Sequence, residues 1–288
     1  PGSVLPLTYS WAALNNKVDA MYPAGNTNIT IGAFDGARLA GRWRLRTIRE
    51  QTADEWGILL RNLFTLAGLD LDAVRGVIIS SVVPVVDQPL AAMSERYFGR
   101  TPMFVNAASD LGLQVKYDNP REVGADRLVN AVAAKAKYGS PCIVVDLGTT
   151  INFDIVGPTG DFLGGVICPG IGMSISGLFA KTARLQMVDF REPEKLIGSN
   201  TVGSITSGLY YGFIGMIDGL CERIIAELGP ETKTVATGGQ GEAINKASSP
   251  RARRLSISLR SRSASSSEED RIRPYPFSRR APARALAT

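Results

Sequence analysis

Cys142-Ile-Val-Val-Asp-Leu-Gly-Thr-Thr-Ile-Asn-Phe-Asp-Ile-Val156 is the stretch from which the fold is read. Cys142–Gly148 is a buried apolar strand running into a turn, and Ile151–Val156 is a second strand returning from it. The same grammar stands more than a hundred residues upstream. There Gly25-Asn26-Thr27 leads into Ile29-Thr-Ile-Gly-Ala-Phe34, and Asp35-Gly36 turns that strand into Arg42–Arg46. Both units are strand, tight turn with glycine and hydroxyl or amide side chains, then strand ending in Phe-Asp. Such a turn is an ordinary hairpin when it occurs once. A duplicated pair can grip one polyphosphate from two sides, because turn N–H groups meet phosphate oxygens and glycine lets the backbone approach. A third glycine turn, Gly238-Gly239, follows the strand Thr234–Ala236 and adds to the case for a nucleotide cleft.

Between and around these hairpins, strands and helices alternate, the signature of a layered α/β sheet. Glu55–Ala67 places Trp56, Leu59, Leu60, Leu63 and Leu66 on one helical face and stops at Gly68. Val77–Val83 is an apolar strand ended by Pro84, Leu90–Phe98 a helix, Met103–Val105 a strand and Ala125–Tyr138 a helix ended by Gly139. After a glycine-rich stretch (Gly157 to Gly177), helices are predicted around Ile175–Ala183 and over Ser204–Leu228. Residues 1–22 give no clean pattern. The reading divides the chain into an N-terminal half (1–139), a C-terminal half (140–245) and a tail (246–288).

Composition excludes several chemistries. With no histidine, a Ser-His-Asp triad, a histidine-ligated zinc and a histidine general base are ruled out. Cys142, Cys168 and Cys221 are far apart, which suits reduced thiols in the cytoplasm rather than a disulfide framework. No run approaches 18 consecutive apolar residues, so no membrane span is expected. The net charge of +5 is unevenly spread. Residues 246–288 hold eleven of the 32 basic side chains and three of the 27 acidic ones, a net of +8 that leaves the other 245 residues at −3. This tail also carries ten serines and little apolar pattern, so it is expected to be disordered or loosely attached.

Two carboxylates stand out in the body. Asp146 ends a buried strand two residues before Gly148; it either holds a cation at the cleft edge or caps the following loop. Asp126, in Gly124-Ala-Asp-Arg127, starts a helix. It either serves the helix dipole or acts as general base for an alcohol nucleophile, with Arg127 beside it to meet an anionic group.

These residues together resemble the type III pantothenate kinases, also called the Bvg accessory factor family. The matching motifs run in order from Gly25 to Gly239: Gly25-Asn-Thr-Asn28 with Phe34-Asp-Gly36; Ser80-Ser-Val-Val-Pro84; Tyr117-Asp-Asn-Pro120 with Gly124-Ala-Asp-Arg127; Asp146-Leu-Gly-Thr149; Gly164-Gly165 with Pro169-Gly170; Ile197-Gly-Ser-Asn-Thr201; and Ala236-Thr-Gly-Gly239. The resemblance implies the actin/hexokinase-like fold of the acetate-kinase superfamily, two ribonuclease-H-like halves around a nucleotide cleft. It implies ATP-dependent phosphorylation of pantothenate, the first step of coenzyme A biosynthesis, by a homodimer using Mg2+ and a monovalent cation, K+ or NH4+. Residue by residue, Asp126 is similar to the family's general base. Tyr117, Gly124, Ala125, Arg127 and Thr201 are similar to its pantothenate contacts, with Arg127 answering the carboxylate. Gly25, Asn26, Thr27, Asn28, Ile29 and Thr30 resemble the first phosphate loop, Thr149 an ATP contact and Asp146 the monovalent-cation ligand.

The chain also departs from the family. Pro23 stands where the family's first strand carries an aspartate two residues before the loop glycine, and Leu5–Met21 does not read as the expected apolar strand. After Gly239 the pattern fades into the Arg/Ser tail. Asn152, and Gln186 where the family usually has proline, are smaller departures. Two other readings therefore accompany the kinase: an impaired family member that keeps the pocket, and a regulatory protein contacting nucleic acid through Arg251, Arg253, Arg254, Arg260 and Arg262.

Overall fold

The computed structural model describes residues 18–24, 27–36, 38–180, 187–238 and 256–258, the first and last of these as backbone. Gly25, Asn26, Gly239, Gln186 and most of the tail, all named above, lie outside the described residues. The strands are β1 (Val18–Ala24), β2 (Asn28–Asp35), β3 (Arg38–Arg46), β4 (Val74–Ser81), β5 (Met103–Phe104), β6 (Cys142–Leu147), β7 (Thr150–Val156), β8 (Phe162–Pro169), β9 (Lys233–Thr237) and β10 (Ser256–Ser258). The helices are α1 (Ala53–Leu66), α2 (Pro84–Phe98), α3 (Ala125–Tyr138), α4 (Ile171–Ala180) and α5 (Thr201–Leu228).

The strands form two five-stranded sheets, ordered β3-β2-β1-β4-β5 and β10-β9-β6-β7-β8. Read from the hairpin edge inward, the two orders are the same. In each sheet the first strand pairs antiparallel with the second and parallel with the strand beyond it. The duplicated hairpin is therefore the visible part of a duplicated sheet. Ser256–Ser258 of the tail pair parallel to β9, the place that β5 occupies beside β4.

Helix α3 lies between the sheets and contacts β4, β6 and β7. Its alanines (Ala131, Ala133, Ala134) with Leu128 and Val129 share a core with Phe34 of β2, Cys142 and Val144 of β6, Val156 of β7 and Phe162 of β8. The other face of β6 and β7 (Ile143, Val145, Leu147, Ile151, Phe153, Ile155) packs on α5 through Tyr210, Phe213, Ile214 and Ile217. Strand alternation thus assigns every even-numbered residue of β6 and β7 to the α3 side. A separate core joins the first sheet to α1 and α2.

Three expectations are corrected. β1 is a central strand although Val18–Ala24 carries an aspartate and a proline, residue types depleted in strands; pairing with β2 and β4 on both sides overrides that preference. The glycine-rich stretch contains the eight-residue strand β8. Leu66 is 85% exposed, and the buried stripe of α1 is Trp56, Leu60 and Phe64. At 100° per residue, Leu66 lies about 120° around the helix from Leu60, the middle of that stripe, while Phe64 meets the ring of Trp43 at 5.2 Å.

Candidate active site

Even-numbered Asp146 and Asp154 face α3, as the alternation of β6 and β7 requires. Asp146 Oδ2 accepts a hydrogen bond from Asn130 Nδ2 at 3.0 Å. Asp154 Oδ1 accepts one from Arg127 Nε at 2.6 Å, an ion pair whose two side chains are 8% and 0% exposed. Asn130 and Arg127 are three residues apart on α3, so one helical face reaches both strands. Asp126 stands one residue before Arg127, and its Oδ1 accepts the Arg127 backbone N–H at 2.8 Å. The sequence had singled out Asp126, Arg127 and Asp146. It had not assigned Asn130 or Asp154 a part, although Phe153-Asp154 was visible as half of the internal echo.

Burial dominates the electrostatics. It raises the Asp126 carboxyl above its ordinary range, with the Arg127 N–H and charge opposing. Burial, with the neighbouring negative charge of Asp126, pushes Asp146 up to about 6. Burial pushes Asp154 up to about 7, against the pull of Arg127. Arg127 acts on Asp126 and Asp154, while Asp146 has the neutral amide of Asn130 as its partner.

The glycine turns converge on this cluster. Thr27 Oγ1 and Thr149 Oγ1, one from each hairpin turn and 122 residues apart in sequence, are hydrogen-bonded at 3.2 Å. Gly170 N donates to Thr149 O at 3.1 Å, and a Cβ at Gly170 would lie 2.2 Å from that oxygen, so only glycine fits there. Gly238, at φ +94°, lies against the carbonyl of Leu147 at the end of β6. Asn28, Ile29 and Thr30 belong to β2, with Ile29 buried, so within the described residues the first turn is represented by Thr27.

The substrate candidates divide. Gly124 is the N-cap of α3 and Ala125 its first, buried residue. A Cβ at Gly124 would come within 2.7 Å of Asp126 Oδ1, so glycine leaves the carboxylate its place. Tyr117 packs on Phe162, ring centroids 6.5 Å apart, and against Gly164. Tyr117, Gly124, Ala125, Asp126 and Arg127 therefore gather on the α3–β8 side. Thr201 is exposed at the start of α5, capped by Asn200, on an element apart from this cluster. The Ile197–Thr201 motif is a tight bend at that helix start; a Cβ at Gly198 would lie 2.3 Å from Ser204 N.

Among the described residues, no group of three or more Asp, Glu, Cys or His side chains could hold a metal ion. Asp146, a single desolvated carboxylate with Asn130 as its hydrogen-bond partner, fits a cation of low charge. No helix among the described residues is long and apolar enough to cross a membrane.

The sequence profile of the type III pantothenate kinase family matches residues 21–223. A protein named type III pantothenate kinase from Solibacter usitatus (strain Ellin6076) is 65% identical over 221 residues, covering 77% of this chain and 85% of that one. One of the same name from Koribacter versatilis (strain Ellin345) is 50% identical over 234 residues, covering 78% and 85%. Among solved structures, an activator of 2-hydroxyisocaproyl-CoA dehydratase from Clostridium difficile with bound ADPNP superposes with a TM-score of 0.50 at 10% identity, covering 84% of this chain and 88% of that one. That likeness concerns the fold alone, the actin/hexokinase-like duplication seen in the two sheets. With its duplicated fold and a profile match spanning both hairpins and α3, the chain belongs to the type III pantothenate kinase family.

Proposed function

We propose that the chain transfers the γ-phosphoryl group of ATP to the primary hydroxyl of pantothenate, giving 4'-phosphopantothenate and ADP in the first step of coenzyme A biosynthesis. The observation that carries this reading is the placement of Asp126 at the start of α3 in the electrostatic reach of Asp146 at the end of β6, with the two hairpin turns joined through Thr27 and Thr149. Asp126 takes the hydroxyl proton as the alcohol oxygen attacks the γ-phosphorus, and the bond to the ADP oxygen breaks. A carboxyl raised by burial is a stronger base than an ordinary aspartate, which suits that role. Phosphoryl transfer needs positioning and charge neutralisation more than covalent help from the protein. The turn backbones, with Thr149 and the Gly25–Thr30 loop, hold the phosphates. Arg127 holds the pantothenate carboxylate, with Tyr117, Gly124 and Ala125 lining its path.

Asp146 is the residue that would hold K+ or NH4+; such an ion would supply positive charge among the three carboxylates, and Mg2+ would offset the charge of the phosphates. A homodimer is supported by α4, a helix without charged residues whose single buried side chain is Ile171 and whose Met173 is 49% exposed. The reaction belongs in the cytoplasm, where reduced cysteines are expected.

The test is a coupled ADP-release assay in Mg2+ and K+. Pantothenate-dependent ADP formation is the expected result. A folded chain that binds ATP yet forms no product would favour the second reading, an impaired member. Pro23 in β1 is the observation behind that alternative.

A further inference from the structure

Arg127 is held on three sides. Its Nε binds Asp154 at 2.6 Å, its guanidinium carbon lies 5.5 Å from the centroid of the Phe162 ring, and its Nη2 lies 2.9 Å from where a Cβ of Gly165 would stand. Gly165 is the register partner of Asp154 on β8. A side chain there would also meet the Phe153 carbonyl at 1.7 Å, so the strand leaves the guanidinium its room only as glycine. The ion pair is nevertheless half used. Arg127 Nη2 and Asp154 Oδ2 are both buried and have no hydrogen-bond partner among the described residues. An arginine beside a carboxylate ordinarily closes a two-point fork. Here one point is made and a donor is left over. Burying a charged donor such as Nη2 without a partner is costly, which points to an acceptor that completes it.

We infer that Asp154 is a positioning residue for substrate recognition: by taking Nε alone, it fixes the Arg127 guanidinium with Nη2 left to bind the carboxylate of the acceptor substrate. This rests on the reading of Arg127 as the carboxylate ligand. Asp154 itself touches no reacting atom. Phe162 supplies the flat support beneath the guanidinium, and Gly165 the space beside it. The arrangement selects a planar monocarboxylate, because an amide in its place presents an NH2 group to a donor.

The test compares pantothenate with a carboxamide analogue of pantothenate as acceptors, using Asp154→Asn, Arg127→Gln and the double variant. Arg127→Gln should raise KM for pantothenate by about 10–100-fold, the worth of a charged hydrogen bond. Asp154→Asn should raise it by about tenfold, with kcat within about threefold and the KM of the carboxamide nearly unchanged. Adding Asp154→Asn to Arg127→Gln should move the pantothenate KM no further. That comparison remains available if Asp154→Asn alone fails to fold, since the double variant leaves no buried unpaired charge. If Arg127→Gln leaves the pantothenate KM unchanged, the carboxylate assignment itself fails. If Arg127→Gln raises it but Asp154→Asn weakens both acceptors equally, or adds to Arg127→Gln in the double variant, Asp154 is structural and the positioning role is overturned.

Discussion

The two sheets share one strand order but carry very different chemistry on the faces that meet α3. Among the described side chains, the first sheet offers that helix Phe34 foremost, with Leu39 and Ile78 packed alongside. The second offers Val144 and Val156 interleaved with Asp146 and Asp154. The register makes the contrast specific to one position. Ala24 pairs with Ile29 across the first hairpin, and Leu147 with Ile151 across the second, so Pro23 occupies the place in β1 that Asp146 holds in β6. A duplicated backbone thus fixes where the turns meet, while single side chains distinguish the two halves.

Asp126 belongs to neither sheet, and its removal should have the largest effect. Asp126→Asn keeps size and hydrogen bonding but removes the base, so kcat should fall by roughly 10²–10⁴ while pantothenate binding survives. Steady-state ADP release checks this; a variant as fast as the parent would end the general-base assignment.

Making the halves alike at one position should have the next largest effect. In parallel register Pro23 pairs with Ser80, whose buried Oγ has no partner among the described residues. Aspartate at position 23 would restore a backbone N–H to a central strand. Pro23→Asp should raise kcat/KM about 10–100-fold, the scale typical of supporting groups around a metal site. A parent that is silent until this change is made would be the impaired member; equal activity would show that position 23 does not matter.

The charge of the second half should be felt in stability. Asp146 and Asp154 have folded-state pKa values raised to about 6 and about 7 by burial. A raised carboxyl binds its proton more tightly when folded, so its contribution is fully present below the unfolded value near 4 and is lost as pH rises through 6 to 7. Without added ligands, the melting temperature should fall by several degrees from pH 5 to pH 8. Asp146→Asn should flatten that slope, and K+ should raise the parent's melting temperature at pH 8 while leaving the variant unmoved. Scanning fluorimetry over the pH series decides it; a flat parent profile would refute the burial argument.

The smallest effect is expected at the outer edge of the second sheet. β10 contributes three residues beside β9, much as β5 contributes two beside β4. Deleting residues 246–288 should shift the melting temperature by only a few degrees. Loss of cooperative melting would show that the second half depends on this edge far more than the first depends on β5.

What the sequence determined by itself lies within short stretches. The hairpin of β6 and β7 was legible because apolar runs and glycine turns act over a few residues, and α3 was legible from its apolar periodicity and its closing glycine. Asp126, Arg127 and Asp146 were found as carboxylates and a cation at the ends of such elements. Only the tertiary structure decided their partners. Arg127 meets Asp154 across 27 residues of chain, and Thr27 meets Thr149 across 122. β1 and β8 escaped the reading for the same reason: Pro23 and Gly165 violate strand preference locally, and pairing with neighbouring strands overrides it. Local preference amounts to a fraction of a kcal/mol per residue, whereas burial and ladder pairing between distant segments each contribute about as much or more. Where the two disagree, packing wins, and the site lies where distant segments are packed together.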